Sequence, residues 1–166
     1  YGQQPSASTQ CMPGALAVLK LLSPQIPTLA FGTHPSALPE RTLREGFKYV
    51  CKGEGPHTIT ILLQNLRGHD ETHVIPTGAP PGIWWNDSPG EVRYTKPTQN
   101  ITDLDKTLPG QAWELLDMRK YRPMNWFEFG VKPGGGYASV QTSLGCPFAC
   151  SFCCIQAPFI ERGIRF

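Results

Sequence analysis

From Pro13 to Gly68 the apolar residues change their spacing four times, and that alternation restricts the fold more than any other feature of the 166-residue chain. In "MPGALAVLKLLSPQIP" Ala15, Leu16, Leu19 and Leu22 fall on one helical face, Pro13 suits a first turn, and Ser23-Pro24 ends the pattern. Residues 28–31, "TLAF", make a short apolar run closed by Gly32, as a buried strand does. "LPERTLREG" reads as a short helix ending on Gly46, and "FKYVCKG" as a second strand ending on Gly53. In "GPHTITILLQNLRG", Ile59, Leu62, Leu63 and Leu66 stand at i, i+3, i+4 and i+7, the spacing of an amphipathic helix. Helix, strand, helix, strand, helix with short glycine connections predicts a parallel α/β sheet with right-handed crossovers. Two parallel strands bury too little by themselves, since parallel sheets lie inside layers covered on both faces. The sheet is therefore expected to be truncated on its N-terminal side.

Beyond His69 the composition changes. Pro76, Pro80, Pro81, Pro89, Pro97, Pro109 and Pro123 interrupt any long element as far as Lys132. "GIWW" and "EVRYT" flank the turn cluster "NDSPG" and predict a small β-hairpin, and "PGQAWELLDMRKY" has the spacing of a short helix. The adjacent Trp84 and Trp85 suit a segment that packs on something, so this stretch reads as an ordered linker. "YASVQTS", Tyr137 to Ser143, is expected to be a strand leading into a cysteine loop. The organisation expected is thus an α/β portion over residues 1–68, a proline-rich linker over 69–132 and a third portion over 133–166.

A hydrophobic content of 40% supports a packed core, and a net charge of +2 without clusters of Lys or Arg argues against a nucleic-acid partner. The longest apolar run, Ala15 to Leu22, contains Lys20 and is far short of the ~20 residues of a membrane span. The opening "YGQQPSASTQCM" has neither the basic nor the apolar segment of a signal peptide and reads as a chain entered in the middle.

Four of the six cysteines lie within "GCPFACSFCC", residues 145–154. With Cys11 and Cys51 isolated and Cys153 adjacent to Cys154, a regular disulfide framework is awkward, and a metal site in a reducing, cytoplasmic setting is the better expectation. Cys146, Cys150 and Cys153 form C-x3-C-x2-C. Three thiolates on one loop can hold three irons of a [4Fe–4S] cluster and leave the fourth iron without a protein ligand. Two other readings stand beside this one. Cys154 can serve as a fourth ligand for zinc or for a closed electron-transfer cluster, and positions i, i+4 and i+7 can be one buried helical face. Pro147 and Gly145 favour a loop over the helix.

"SVQTSLGCPFACSFC" resembles the opening of the radical S-adenosylmethionine (SAM) enzymes, in which the first barrel strand leads to C-x3-C-x-aromatic-C, with Phe152 here as the aromatic. "AFGTHPSALPERTLREGFKYVCKGEG" is similar to the second half of the cobalamin-binding domain that precedes the barrel in one large subgroup, and "LPGQAWELLDMRKY" is similar to that subgroup's linker. Gly32-Thr33 stands where the subgroup commonly has Gly-Gly, and Pro56-His57 where it often has Glu.

The resemblance implies a partial flavodoxin-like, Rossmann-type sheet over 1–68, a linker with a small hairpin, and the first strand and cluster loop of a (β/α) barrel over 133–166. It implies that Cys146, Cys150 and Cys153 hold the cluster, that Phe152 lies at the SAM site, and that SAM is cleaved reductively to methionine and a 5'-deoxyadenosyl radical. A flavodoxin-like sheet binds ligands at the C-terminal ends of its strands, so Gly32, Thr33, Gly53, Glu54 and Gly55 are the expected cobalamin contacts. His34 beside them is expected to be structural or adjacent to the cofactor. A small-molecule substrate and an electron donor such as reduced flavodoxin or ferredoxin are the implied partners. Methyl transfer, ring formation and adenosyl transfer all stay open. Phe166 follows Cys153 by 13 residues, whereas a complete barrel takes on the order of 200 or more. The chain is accordingly expected to be an incomplete enzyme, inactive alone; a non-enzymatic iron–sulfur or zinc module is the alternative.

Overall fold

The computed structural model describes residues 5–67, 78–88, 90–97, 99–121, 138, 140, 142–159 and 161–166, with side chains from residue 12 onward. They divide into two compact units, one of Tyr1–Thr102 with Gly145–Ile164 and one of Asp103–Leu144 with Arg165–Phe166. Among the described residues no helix is long and apolar enough to cross a membrane.

In the larger unit α1 (Pro5–Leu21) runs into β1 (Leu29–Ala30), followed by α2 (Thr33–Ala37), α3 (Pro39–Arg44), β2 (Tyr49–Cys51) and α4 (Pro56–Leu66). Both expected strands form and pair in parallel, Leu29 opposite Tyr49 and Ala30 opposite Val50. Pro13 lies inside α1 rather than in its first turn. Directly after Gly32 the chain coils into α2, a helix of five residues.

The hairpin expected in the proline-rich stretch also forms, as β3 (Ile83–Ser88) and β4 (Glu91–Tyr94), and it is part of the sheet. β3 lies antiparallel to β2, pairing Trp85 with Tyr49, Trp84 with Val50 and Ile83 with Cys51. The sheet order is β1-β2-β3-β4, a mixed α/β architecture. The hairpin supplies the edge protection that two parallel strands lack. All three residues of β2 are buried, because strand alternation sends neighbours to opposite faces and each face is covered. Tyr49 and Ile83 pack with Leu62 of α4 on one face. Val50 and Ala30 pack with Leu43 of α3 on the other.

The junction of hairpin and β2 depends on one glycine. Gly82 has φ +76°, and a Cβ there would lie 2.5 Å from the Lys52 carbonyl oxygen, so only a residue without a side chain fits. Its carbonyl accepts from the Lys52 N–H at 2.8 Å, and its own N–H donates to Lys96 O at 3.1 Å. Thr58, in the first turn of α4, donates its hydroxyl to Pro81 O at 2.5 Å. Thr95 donates to Pro80 O at 2.6 Å. The carbonyls of the proline-rich entry are thereby held by side-chain hydroxyls. Across the hairpin Trp84 stacks on Tyr94 with ring centroids 4.5 Å apart, and Lys52 Nζ sits 5.7 Å from the Trp84 ring centre.

The smaller unit contains α5 (Leu104–Thr107), capped by the Asp103 carboxylate, which accepts from the Lys106 N–H at 3.1 Å. The helix expected in "PGQAWELLDMRKY" is instead two single 3-10 turns, Trp113–Leu115 and Met118–Lys120. Leu116 between them is extended, and Asp117 caps the second turn by accepting from the Arg119 N–H, so local capping overrides the apolar spacing. Of the strand expected over residues 137–143, Tyr137, Ser139 and Gln141 lie outside the described residues, and the described ones are not strand. The strand before the cysteines is β5 (Leu144–Cys146), which forms a two-stranded sheet with β6 (Gly163–Arg165).

Candidate functional site

Two sets of predicted residues occupy two places in the larger unit. The first is the C-terminal end of the parallel pair. Gly32 follows β1 at φ +108°, and Gly53 and Gly55 follow β2 at φ +118° and +98°, conformations that glycine adopts without strain. Gly55 precedes Pro56, the first residue of α4, and proline suits that position because a first-turn N–H has no helical acceptor. The two turns are joined: the Gly53 N–H donates to Ser36 Oγ of α2 at 3.2 Å, and Ser36 is almost wholly buried. The structure therefore brings Gly32, Thr33 and the Gly53-Glu54-Gly55 turn to one edge of the sheet, with Thr33 only 4% exposed.

Glu54 is engaged within this edge. Its Oε2 accepts from the backbone N–H of Ile101 at 2.7 Å, a charge-assisted bond to a buried residue. The adjacent Asn100, also buried, donates Nδ2–H to Glu161 O at 3.0 Å. Pro97 and Pro158 flank Gly53. Between Lys52, Glu54, Thr58, Pro97, Asn100 and Pro158 a cavity of about 20 Å³ remains, room for about one water. A corrinoid is far larger than this cavity. His34, on α2, has its pKa lowered by burial and by the nearby Arg41, with Glu45 acting in the opposite sense. It is thus a neutral imidazole at neutral pH, packed beside the turn.

The second place is the cysteine loop. Gly145, at φ +95°, lies within β5, and the strand ends after Cys146 at Pro147. The residues after β5 form a loop with a turn at Ser151-Phe152, not a helix, so the three cysteines do not make one buried helical face. All four of the loop's cysteines are free; Cys146 and Cys154 are half-buried, Cys150 and Cys153 exposed. Phe152 is 86% exposed. The Cys153 N–H donates to Cys150 O at 3.1 Å and closes the turn between the second and third cysteines. Among the described residues no three His, Cys, Asp or Glu side chains gather into a group that could hold a metal. The donor set nonetheless suits an iron–sulfur cluster in chemistry: free thiols on one loop, open to solvent. Cys51 is a different case, buried at the end of β2 with its thiol pKa pushed up by burial, the Thr58 side chain acting in the opposite sense. An unreactive core thiol results.

Sequence reasoning did not reach three residues that shape these places: Gly82, Asn100 and Gln156. Gln156 donates Nε2–H to Cys146 O at 2.9 Å and to Phe148 O at 2.8 Å. Each acts on backbone groups distant along the chain, and no residue pattern announces such a partner.

The proteins most informative for comparison are methyltransferases and cyclases. Over 163 residues, 95% of this chain and 32% of the relative, it is 30% identical to an uncharacterised methyltransferase of Pyrococcus horikoshii. It is 24% identical over 161 residues to cytidylyl-2-hydroxyethylphosphonate methyltransferase of Streptomyces wedmorensis, covering 83% of this chain and 29% of that protein. Over 105 residues, 63% of the chain and 18% of the relative, it is 31% identical to an anaerobic magnesium-protoporphyrin IX monomethyl ester cyclase of Synechocystis. The chain spans about a third or less of the length of these relatives. No family model matches the chain, and no solved structure matches it.

Proposed function

We propose that this chain is the portion of a radical SAM enzyme, of the kind that also carries a cobalamin domain, in which Cys146, Cys150 and Cys153 hold a [4Fe–4S] cluster. The observation that carries the reading is the C-x3-C-x-Phe-C loop itself: it follows a short strand, avoids helix, and has three free thiols, those of Cys150 and Cys153 exposed. A cluster bound there supplies the electron that cleaves SAM reductively. The chain's own part is to hold the loop backbone, to offer three thiolates, and to leave Phe152 exposed beside them for contact with SAM. Because the thiols lie along the loop and not at one point, their side chains must turn inward as the cluster is taken up. Cys154 follows as a bystander.

In the whole protein the relatives' names favour methyl transfer to a small molecule, with ring formation the second reading from the cyclase. The division into an α/β portion over 1–68, a linker over 69–132 and a barrel start over 133–166 belongs to the same proposal. So does cobalamin contact at Gly32, Thr33, Gly53, Glu54 and Gly55. That contact requires Pro97 and the Pro158 carbonyl beside Gly53 to give way, and hydroxocobalamin titration of the chain tests it directly. For the cluster, the test is anaerobic reconstitution with iron and sulfide, then electron paramagnetic resonance of the reduced chain with and without SAM. The reading expects the spectrum to change on adding SAM; a spectrum that SAM leaves unmoved rejects an open iron.

A further inference from the structure

We infer that Gln156 is the positioning residue of the cysteine loop, holding the backbone on both sides of Pro147 so that the thiols can close on a cluster. The inference rests on the cluster reading above and adds to it a residue outside the C-x3-C-x2-C motif.

The geometry is specific to a carboxamide. Nε2 carries two protons, and each has a carbonyl to meet: Cys146 O at 2.9 Å and Phe148 O at 2.8 Å. Turning the amide over would set Oε1 against both carbonyl oxygens, so the two acceptors fix its orientation. Oε1, on the far side, is buried with no hydrogen-bond partner among the described residues. The fold thus leaves one buried acceptor unsatisfied, an unfavourable arrangement, and gains two bonds that reach back 8 and 10 residues to the start of the loop.

Those bonds complete a division of labour. The Cys153 N–H to Cys150 O bond fixes the second and third cysteines relative to each other. Gln156 fixes the first, Cys146, and the peptide leading toward Cys150. With the backbone held at all three positions, the loop offers the thiols a fixed frame, which is what a supporting group around metal ligands provides.

The test uses Gln156→Glu, which keeps the size and turns an acceptor pair toward two carbonyl oxygens, and Gln156→Met, which removes both donors without adding charge. Leu62→Ala, in the sheet core away from the loop, serves as the control for general destabilisation. In the chain before reconstitution, the carbonyl ¹³C resonances of Cys146 and Phe148, the two acceptors, are expected to move upfield in both Gln156 variants and to stay at the wild-type positions in Leu62→Ala. After reconstitution, iron loss to a chelator is expected to be roughly 10–100-fold faster in the Gln156 variants, the usual effect of removing an outer partner of a metal site, with Gln156→Glu the faster of the two. Carbonyl resonances of Cys146 and Phe148 unmoved in both variants overturn the clamp. Iron loss within twofold of wild type, or no faster than in Leu62→Ala, overturns its role toward the cluster. A wild-type chain that takes up no iron overturns the cluster reading, and the carbonyl shifts still decide whether the clamp exists.

Discussion

Replacing Gly82 by alanine puts the joint between hairpin and sheet under a calculable load. A Cβ at this position meets the Lys52 carbonyl oxygen at 2.5 Å, and the backbone stands at φ +76°. Left-handed backbone costs an L-residue roughly 1–2 kcal/mol. Moving Lys52 away weakens its N–H bond to Gly82 O, 2.8 Å long, for about another 1 kcal/mol. Separating the hairpin from the buried residues of β2 adds roughly 1–3 kcal/mol of overpacking strain. The stiffer unfolded chain returns about 0.4–1 kcal/mol. The expected net loss is about 2–6 kcal/mol. Gly90 is the internal control, because it has φ +87° and nothing within 4 Å of a built Cβ. Gly90→Ala should therefore cost about 0–1.5 kcal/mol, the backbone contribution alone. Urea unfolding followed by tryptophan fluorescence reports on β3 through Trp84 and Trp85. In thermal melts each kcal/mol should appear as roughly 2–4 °C. If the two variants fall within 0.5 kcal/mol of each other, the close approach of hairpin and β2 at Lys52 is wrong.

Three further outcomes are expected. Glu54→Ala, which leaves the Ile101 N–H without its carboxylate at 2.7 Å, should destabilise the chain by about 1–3 kcal/mol, and Glu54→Gln by less; equal losses in urea midpoint would show that the charge is immaterial. With its pKa lowered by burial, His34 binds a proton more readily in the unfolded chain, so stability should fall as pH drops below the ordinary histidine value of about 6.5. His34→Gln should flatten that part of the profile, and parallel profiles would refute the assignment. Brief iodoacetamide treatment of the iron-free chain, read by peptide mass spectrometry, should label the exposed Cys150 and Cys153 well before the buried Cys51; early labelling of Cys51 would contradict its place in the core.

The elements that could be read from the amino acids alone are those whose partners are local. α4 was legible because Ile59, Leu62, Leu63 and Leu66 share a face, and β1 and β2 because short apolar runs end on Gly32 and Gly53. The hairpin was legible as a hairpin, since its turn residues lie between its strands. Its pairing with β2 was not, because that register is set by Gly82 and by Thr58 and Thr95, which work through contacts remote in sequence. The spacing of Trp113, Leu116 and Tyr121 suggested a helix, but the short-range bonds of Asp117 break it into two turns. At the site, the cysteine spacing located the loop, and glycine placement located the strand-end edge. The engagement of Glu54 with Ile101 and of Gln156 with two carbonyls escaped notice for one physical reason: the acceptor or donor in each case is backbone, which every residue type supplies alike.

Three cysteines of this loop, and not the fourth, are proposed to hold an iron–sulfur cluster. Anaerobic reconstitution of the wild-type chain and of Cys146→Ser, Cys150→Ser, Cys153→Ser and Cys154→Ser, with iron and sulfide counted per chain, tests it most directly. About four irons per wild-type chain are expected, with the same content in Cys154→Ser and loss of the cluster in each of the other three. Retention of zinc in place of iron, or a cluster that disappears with Cys154, would contradict it.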